Sequence, residues 1–253
     1  MRFGPPSFRP GPDPRFPRLS EHERFAFPRP EEAGGDIVAV GGNLSPGMLL
    51  SAYEQGIFPW YNPEDPLIWQ SPDPRFVIFP QKLHVSSSME KILRRGDFEI
   101  AFDRDFPAVI KNCAEICRKG QKGTWITGDI IDAYTELHRL GWAHSAESYA
   151  GGELAGGCYG IRLGNVFCGE SMFARRSNAS KAAFLTLARL LFADGLAFID
   201  CQMPTPHLAG LGGEEVGRRE FLSLLGTSLA ETRSAGNPDM ADRRGNWAER
   251  YGR

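Results

Sequence analysis

The run AHSAESYAGGELAGGCYGIRLGNVFCGESMFA, residues 143–174, limits the fold more than any other part of the chain. It reads as three strands joined by turns at Gly151-Gly152 and Gly164-Asn165. A helix is expected from about Asn178 to Ala193, with Ala183, Phe184, Leu187, Leu190 and Leu191 on its buried side. A strand over 196–202 follows. Antiparallel strands, a helix and one more strand predict an α+β domain built around one mixed sheet.

Upstream, Phe76 to Phe79 reads as a short strand, Ser86 to Arg95 as a basic amphipathic helix and Phe98 to Phe102 as a strand. Helices are expected from Phe106 to Cys117 and from Asp129 to Leu140, the second with Ile130, Ile131, Tyr134 and Leu137 on one face and Gly141 at its end. Earlier still, Ile37 to Val40 is a short apolar run, Ser45-Pro46 is a helix start and Gly56 a helix stop. The stretch FPWYNPEDPLIWQSPDPRFVIFP holds six prolines and two tryptophans. That is too much proline for regular structure and too much aromatic surface for a free linker, so it reads as an ordered loop at a domain junction.

These features divide the chain into a disordered arm (1–20), a small N-terminal α/β domain (21–73), a mixed-sheet catalytic domain (74–226) and a flexible tail (227–253). With 253 residues, 42% of them hydrophobic, the chain can build a sizeable core. A net charge of −2 argues against a strongly basic nucleic-acid coat but leaves room for local patches. Five cysteines without a CxxC pair make neither a disulfide framework nor a zinc knuckle, and Cys113 and Cys117 read as small core residues. The N-terminus has no signal-type apolar region, and no apolar run approaches the ~20 residues of a membrane helix. A cytoplasmic protein with reduced thiols is expected.

Candidate chemistry begins in LAFIDCQ. Asp200 and Gln202 lie two residues apart in a strand and so on one face, where burial costs several kcal/mol without partners. Glu170, in GESMF, also follows an apolar stretch. Two carboxylates and an amide on neighbouring strands can bind a cation, orient an amine or move a proton; a structural salt bridge to an arginine is an equal alternative. Trp60, Trp69 and Trp125 sit in loop contexts, where tryptophan plugs a core edge, walls an apolar pocket or stacks on a base. Basic residues cluster at Lys82, Lys91, Arg94 and Arg95, at Arg118, Lys119 and Lys122, and at Arg175-Arg176. Such clusters are either solvated faces or the footprint of a phosphate backbone. The five histidines form no ligand pattern, so no metal is assigned. No G-x-S-x-G elbow or Walker loop is present.

Several phrases then occur together in order: GGNLSP, YEQGIFPWYNPEDP, WQSPDPR, GTWIT, LGWAHSAE, FCGESMF, NASKAAF and IDCQ. From about Phe27 to Leu225 the chain resembles the bacterial leucyl/phenylalanyl-tRNA–protein transferases. The resemblance implies an aminoacyltransferase with a small N-terminal domain and a C-terminal GCN5-related acyltransferase-like domain. It implies transfer of leucine or phenylalanine, and less well methionine, from aminoacyl-tRNA to the N-terminal Arg or Lys of acceptor proteins, which marks them for degradation. No cofactor or metal is implied, because the ester to tRNA is already activated. A monomer that touches no membrane is expected.

By matching position, the resemblance makes Asp200, Gln202 and Glu170 the catalytic candidates. It puts Trp60 and Trp125 near the aminoacyl-adenosine. Met172 and Phe173, which follow Glu170 in GESMF, are candidates for the side-chain pocket. It makes Lys91, Arg94 and Arg95 the tRNA-binding helix, on which Ser87 and Glu90 stand where basic residues can occur. The expected mechanism has Asp200 accepting from the Gln202 side-chain amide and so polarising its carbonyl toward the attacking amine. A CoA-dependent acyltransferase is the main rival reading, but ARRSNASKAA before the long helix lacks the G-x-G that would hold a pyrophosphate. A non-catalytic RNA-binding module is a second rival, and a two-carboxylate glycosidase a weak third.

Overall fold

The computed structural model describes residues 9–116, 124–234 and 247–251. The chain begins with β1 (Ile37–Val40), α1 (Pro46–Glu54), β2 (Phe58–Pro59), β3 (Ile68–Gln70) and β4 (Arg75–Ile78). Next come α2 (Ser87–Arg95), β5 (Glu99–Phe102), α3 (Phe106–Glu115) and α4 (Gly128–Arg139). Three long strands, β6 (Ala143–Ala150), β7 (Glu153–Leu163) and β8 (Val166–Ala174), lead into α5 (Ala179–Ala193) and β9 (Phe198–Gln202). The short α6 (Pro206–Ala209), β10 (Glu214–Val216), α7 (Arg218–Ser234) and α8 (Trp247–Tyr251) complete it.

The fold is mixed α+β, as expected. A small sheet has the order β1-β3-β2, and a seven-stranded sheet has the order β10-β4-β9-β8-β7-β6-β5. All pairs in the larger sheet are antiparallel except β8 with β9, which the α5 crossover makes parallel. Local chemistry sets the boundaries. Gly151 and Gly152 (φ 62° and 82°) supply the β6–β7 turn. Side chains of Ser86, Asp105 and Thr127 cap α2, α3 and α4 by accepting from main-chain N–H groups of the first turn. Ser45 precedes Pro46 as the pattern suggested, but its hydroxyl accepts from the Leu19 N–H at 3.0 Å rather than from its own helix.

The larger sheet is covered on both faces. On one side, α1, α3, α4 and α7 bury Leu49, Tyr53, Phe106, Ile110, Tyr134 and Phe221 in one cluster. On the other, α2, α5 and α8 bury Met89, Phe184, Leu187, Leu191 and Trp247. The proline-rich stretch is ordered: it supplies β2 and β3, and its Trp69 is buried with the indole N–H donating to the Gly41 carbonyl at 2.8 Å.

Both ends differ from expectation. From Gly11 onward the arm is strapped to the N-terminal sheet: Gly11 N–H donates to Asp65 O at 2.8 Å, Leu67 N–H to Gly11 O at 3.3 Å and Asp13 N–H to Gly42 O at 2.8 Å. Proline-rich chain has no periodicity to read, yet its remaining N–H and C=O groups can still pair. At the other end α7 continues past residue 226, because the buried row Phe221, Leu225, Leu229 and Thr232 keeps a helical spacing through the polar composition. Trp247 is fully buried and stacks on His144, with ring centroids 3.9 Å apart.

Candidate active site

Strict alternation along β9 would aim Asp200 and Gln202 at one face. The pairing of β9 with β4 prevents this. Val77 faces Asp200 and Phe76 faces Gln202, so Cys201 is an extra residue, a β-bulge. Gln202 also has φ 58°, in the left-handed region. The two side chains therefore diverge.

Asp200 turns inward, where it is 1% exposed. Its Oδ1 accepts from Arg75 Nε at 2.8 Å and its Oδ2 from Arg75 Nη2 at 2.7 Å, a two-pronged ion pair. Oδ1 also accepts from the main-chain N–H of Gln202 at 3.0 Å. Arg75 is itself 1% exposed, donates from Nη1 to the Gly56 carbonyl at 3.1 Å and lies between the Phe58 and Phe221 rings. The expected link from Asp200 to the Gln202 side-chain amide is not formed, since the carboxylate is occupied by Arg75 and by main chain. Asp200 holds the bulge and so positions Gln202 from behind.

Gln202 lines an opening between strands. Parallel β8 and β9 pair over only Val166–Cys168 and Phe198–Asp200, then separate. Beyond that fork, Gly160 pairs with Gly169 and Tyr159 with Ser171, which leaves Glu170 as a second bulge. The fork holds a pocket of about 600 Å³ lined by Glu170 and Met172 from β8, by Gln202 from β9, and by Phe58, Trp60, Trp125 and Phe184. That volume suits a small ligand (~300–1,000 Å³). Cys158 and Cys201 also line it, but burial raises both thiols far above neutrality, so neither is a thiolate nucleophile.

Glu170 is half-buried. Its Oε1 accepts from the Tyr53 hydroxyl at 2.7 Å and from Gln202 Nε2 at 3.4 Å, and its Oε2 lies 3.3 Å from the Tyr134 hydroxyl. The Tyr53 and Tyr134 hydroxyls share a further short hydrogen bond. Both phenols, pushed up by burial, keep their protons and donate to the Glu170 carboxyl. Burial accordingly raises the Glu170 carboxyl to about 8, with the Tyr53 hydrogen bond pulling the other way.

This shift has a sign that can be tested. The unfolded chain loses the Glu170 proton near 4.5 and the folded chain near 8, so the folded state binds more protons in between. Stability should fall as pH rises through that window and level off above it. Glu170→Gln should flatten the fall. Buried Glu147, raised to about 7 by burial, leaves a residual slope. Urea midpoints for both proteins across the window check this, and parallel curves would refute it.

The structure thus brings Glu170, Gln202, Trp60, Trp125 and Met172 together. It places Asp200 behind the pocket, not in it. Phe173 does not line the pocket: it neighbours Met172 in a strand, so it faces the opposite side and is buried in the core. Lys91, Arg94 and Arg95 are exposed on α2, outside the pocket, and Arg95 is tied to Asp97 by two hydrogen bonds (3.0 and 2.6 Å). Arg118, Lys119 and Lys122 lie outside the described residues. The sequence alone gives Arg75, Tyr53 and Tyr134 no functional role. Arg75 had a signal, since it stands in WQSPDPR and a buried aspartate calls for a cation. Tyr134 reads in sequence as an ordinary core position of α4.

The family model described as leucyl/phenylalanyl-tRNA protein transferase matches residues 77–226, and that of the N-terminal domain of the same transferase matches residues 42–73. A leucyl/phenylalanyl-tRNA–protein transferase of Myxococcus xanthus is 49% identical over 91% of this chain and 95% of its own length. One from Syntrophobacter fumaroxidans is 50% identical over 83% and 90%, and one from Nitrosospira multiformis is 55% identical over 75% and 81%. Among the described residues, no helix is long and apolar enough to cross a membrane. The chain belongs to the leucyl/phenylalanyl-tRNA protein transferase family.

Proposed function

We propose that this aminoacyltransferase joins leucine or phenylalanine, carried on tRNA, to the N-terminal Arg or Lys of acceptor proteins within the fork between β8 and β9. The observation that carries the reading is the juxtaposition of Gln202, Glu170 and an apolar pocket at the two bulges. The acceptor's α-amine has a pKa of ~8, so a fraction is neutral and nucleophilic near pH 7. It attacks the ester carbonyl, the C–N bond forms, the C–O bond to the ribose breaks, and a proton from the amine ends on the departing ribose oxygen.

Gln202 donates from Nε2 to Glu170, which fixes the amide's orientation and leaves its carbonyl oxygen to accept from the attacking N–H. An amide oxygen is too weak a base to remove the proton, so its part is orientation, which in ideal cases supplies ~7–11 kcal/mol of the barrier. Glu170, whose carboxyl burial raises to about 8, releases its proton to solvent when the cationic side chain of an N-terminal Arg or Lys arrives, because a nearby opposite charge favours the carboxylate. That pairing supports the preference for Arg or Lys. The aminoacyl side chain lies among Met172, Phe58 and Phe184, where crowding at Cβ would reject isoleucine and valine. Trp60 or Trp125 stacks on the adenine. The proposed unit is a monomer, working in the cytoplasm where charged tRNA is available.

The direct test is transfer of labelled leucine from leucyl-tRNA to peptides beginning with Arg or with Ala. Labelling of the Arg peptide alone is expected, and equal labelling or none would overturn the reading.

The α2 cations are proposed to hold the tRNA body through phosphates. Lys91→Ala and Arg94→Ala should each weaken tRNA binding and lower the salt slope by about 1. Arg95→Ala should do less, because Asp97 already neutralises that guanidinium. Equal effects of all three, measured by filter binding across a salt series, would contradict this ranking.

A further inference from the structure

Three cations beside the fork take no part in the roles described so far. β8 ends at Ala174 and continues into Arg175 and Arg176, both exposed. Their main-chain N–H groups donate to the Ala155 carbonyl at 2.7 and 3.1 Å, which fixes the backbone as it leaves the sheet three residues after pocket-lining Met172. Lys181 stands three positions before Phe184 on α5, one turn earlier on the same helix face, and Phe184 lines the pocket. Lys181 also lies close enough to His207, another lining residue, to help burial lower that imidazole's pKa.

No described carboxylate pairs with any of the three. Elsewhere on this side of the sheet Arg95 is paired with Asp97 and Arg189 with Glu90. An anion that meets Arg175, Arg176 and Lys181 must come with the ligand. A nucleotide seated between Trp60, Trp125 and the fork has its own backbone to lead out. Along α5, Lys181 is eight residues from Arg189, or about 12 Å at 1.5 Å per residue, and Arg189 is the point at which α2 is tied on. A strand leaving the pocket past Lys181 therefore runs toward Lys91 and Arg94.

We infer that Arg175, Arg176 and Lys181 form a strip that carries the phosphates of the single-stranded 3′ end of the tRNA. The donor is then held in two places, its last nucleotides by this strip and its double-stranded body by α2. A cationic track next to stacking aromatics is a general way to hold single-stranded nucleic acid without reading its sequence. The inference rests on the proposed function.

The test uses three phenylalanine donors: the adenosine ester, which has no phosphate, the ester of a trinucleotide, which has internucleotide phosphates only, and phenylalanyl-tRNA. The triple variant Arg175→Gln/Arg176→Gln/Lys181→Gln should raise KM about tenfold for the trinucleotide and for tRNA, with a salt slope lower by about 0.7 per lost phosphate contact. Its kcat and KM with the adenosine ester should match the wild type, which also shows that the pocket is intact. The double variant Lys91→Gln/Arg94→Gln should raise KM for tRNA alone. An unchanged KM for the trinucleotide, or an equal rise for the adenosine ester, would overturn the strip while leaving the proposed function standing. A wild-type protein that transfers from none of the donors would overturn both.

Discussion

Arg75→Met should cost about 3–5 kcal/mol of stability, the usual loss when one partner of a buried ion pair is removed. Both partners are 1% exposed, so the Asp200 carboxylate would be left without its cation and without water. The same substitution removes the Nη1 bond to Gly56 O and the aromatic faces of Phe58 and Phe221 lose the guanidinium between them. Asp200→Ala should be nearly as damaging, because it strands Arg75 in the same place. The double variant Arg75→Met/Asp200→Ala should recover much of the loss, since neither charge then remains buried. It should not recover transfer, because the Gln202 N–H loses the acceptor that holds the bulge. Denaturant midpoints for the four proteins, read alongside transfer rates, separate the two effects. A drop below ~1 kcal/mol in the single variants would mean that Asp200 is free to meet substrate, and its role would return to the chemistry.

That outcome bears on what a reader of the sequence can and cannot see. The β6, β7 and β8 strands were legible because alternation and glycine turns are local signals, and so were α5 and the start of α1. The two bulges were not. A bulge is one residue too many relative to the neighbouring strand, so it exists only in the pairing with that strand. Without it, Asp200 and Gln202 count as one face, and a side-chain dyad follows naturally. With it, one turns toward Arg75, 125 positions away, and the other toward the pocket. Partners at that separation leave no trace in spacing. Phe173 differs, since neighbours in a strand must face opposite ways, and Met172 and Phe173 were never able to share a pocket. The continuation of α7 was equally readable from Phe221, Leu225 and Leu229, and was hidden only by polar composition around them.

Substitution of Gln202 should give the largest loss of activity. Its left-handed backbone complicates the usual alanine test, because a β-carbon at φ 58° is itself disfavoured. Glycine relieves that strain, so Gln202→Gly should fold at least as stably as Gln202→Ala. If the amide orients the attacking amine, Gln202→Gly should nonetheless lower kcat by about 10²–10³-fold, the range seen when one preorganised hydrogen-bonding group is lost. KM for phenylalanyl-tRNA should change little, because the aromatic walls and the outer cations remain. Glu170 should also stay in place, since Tyr53 and Tyr134 hold it independently of the 3.4 Å contact from Gln202. The pH dependence of stability assigned to Glu170 should therefore persist in Gln202→Gly. This variant thus isolates the amide from the fold, from donor binding and from its neighbouring acid. Single-turnover transfer at saturating donor measures the step directly. A Gln202→Gly protein that transfers within about threefold of the wild type would show that the pocket orients the amine by other means.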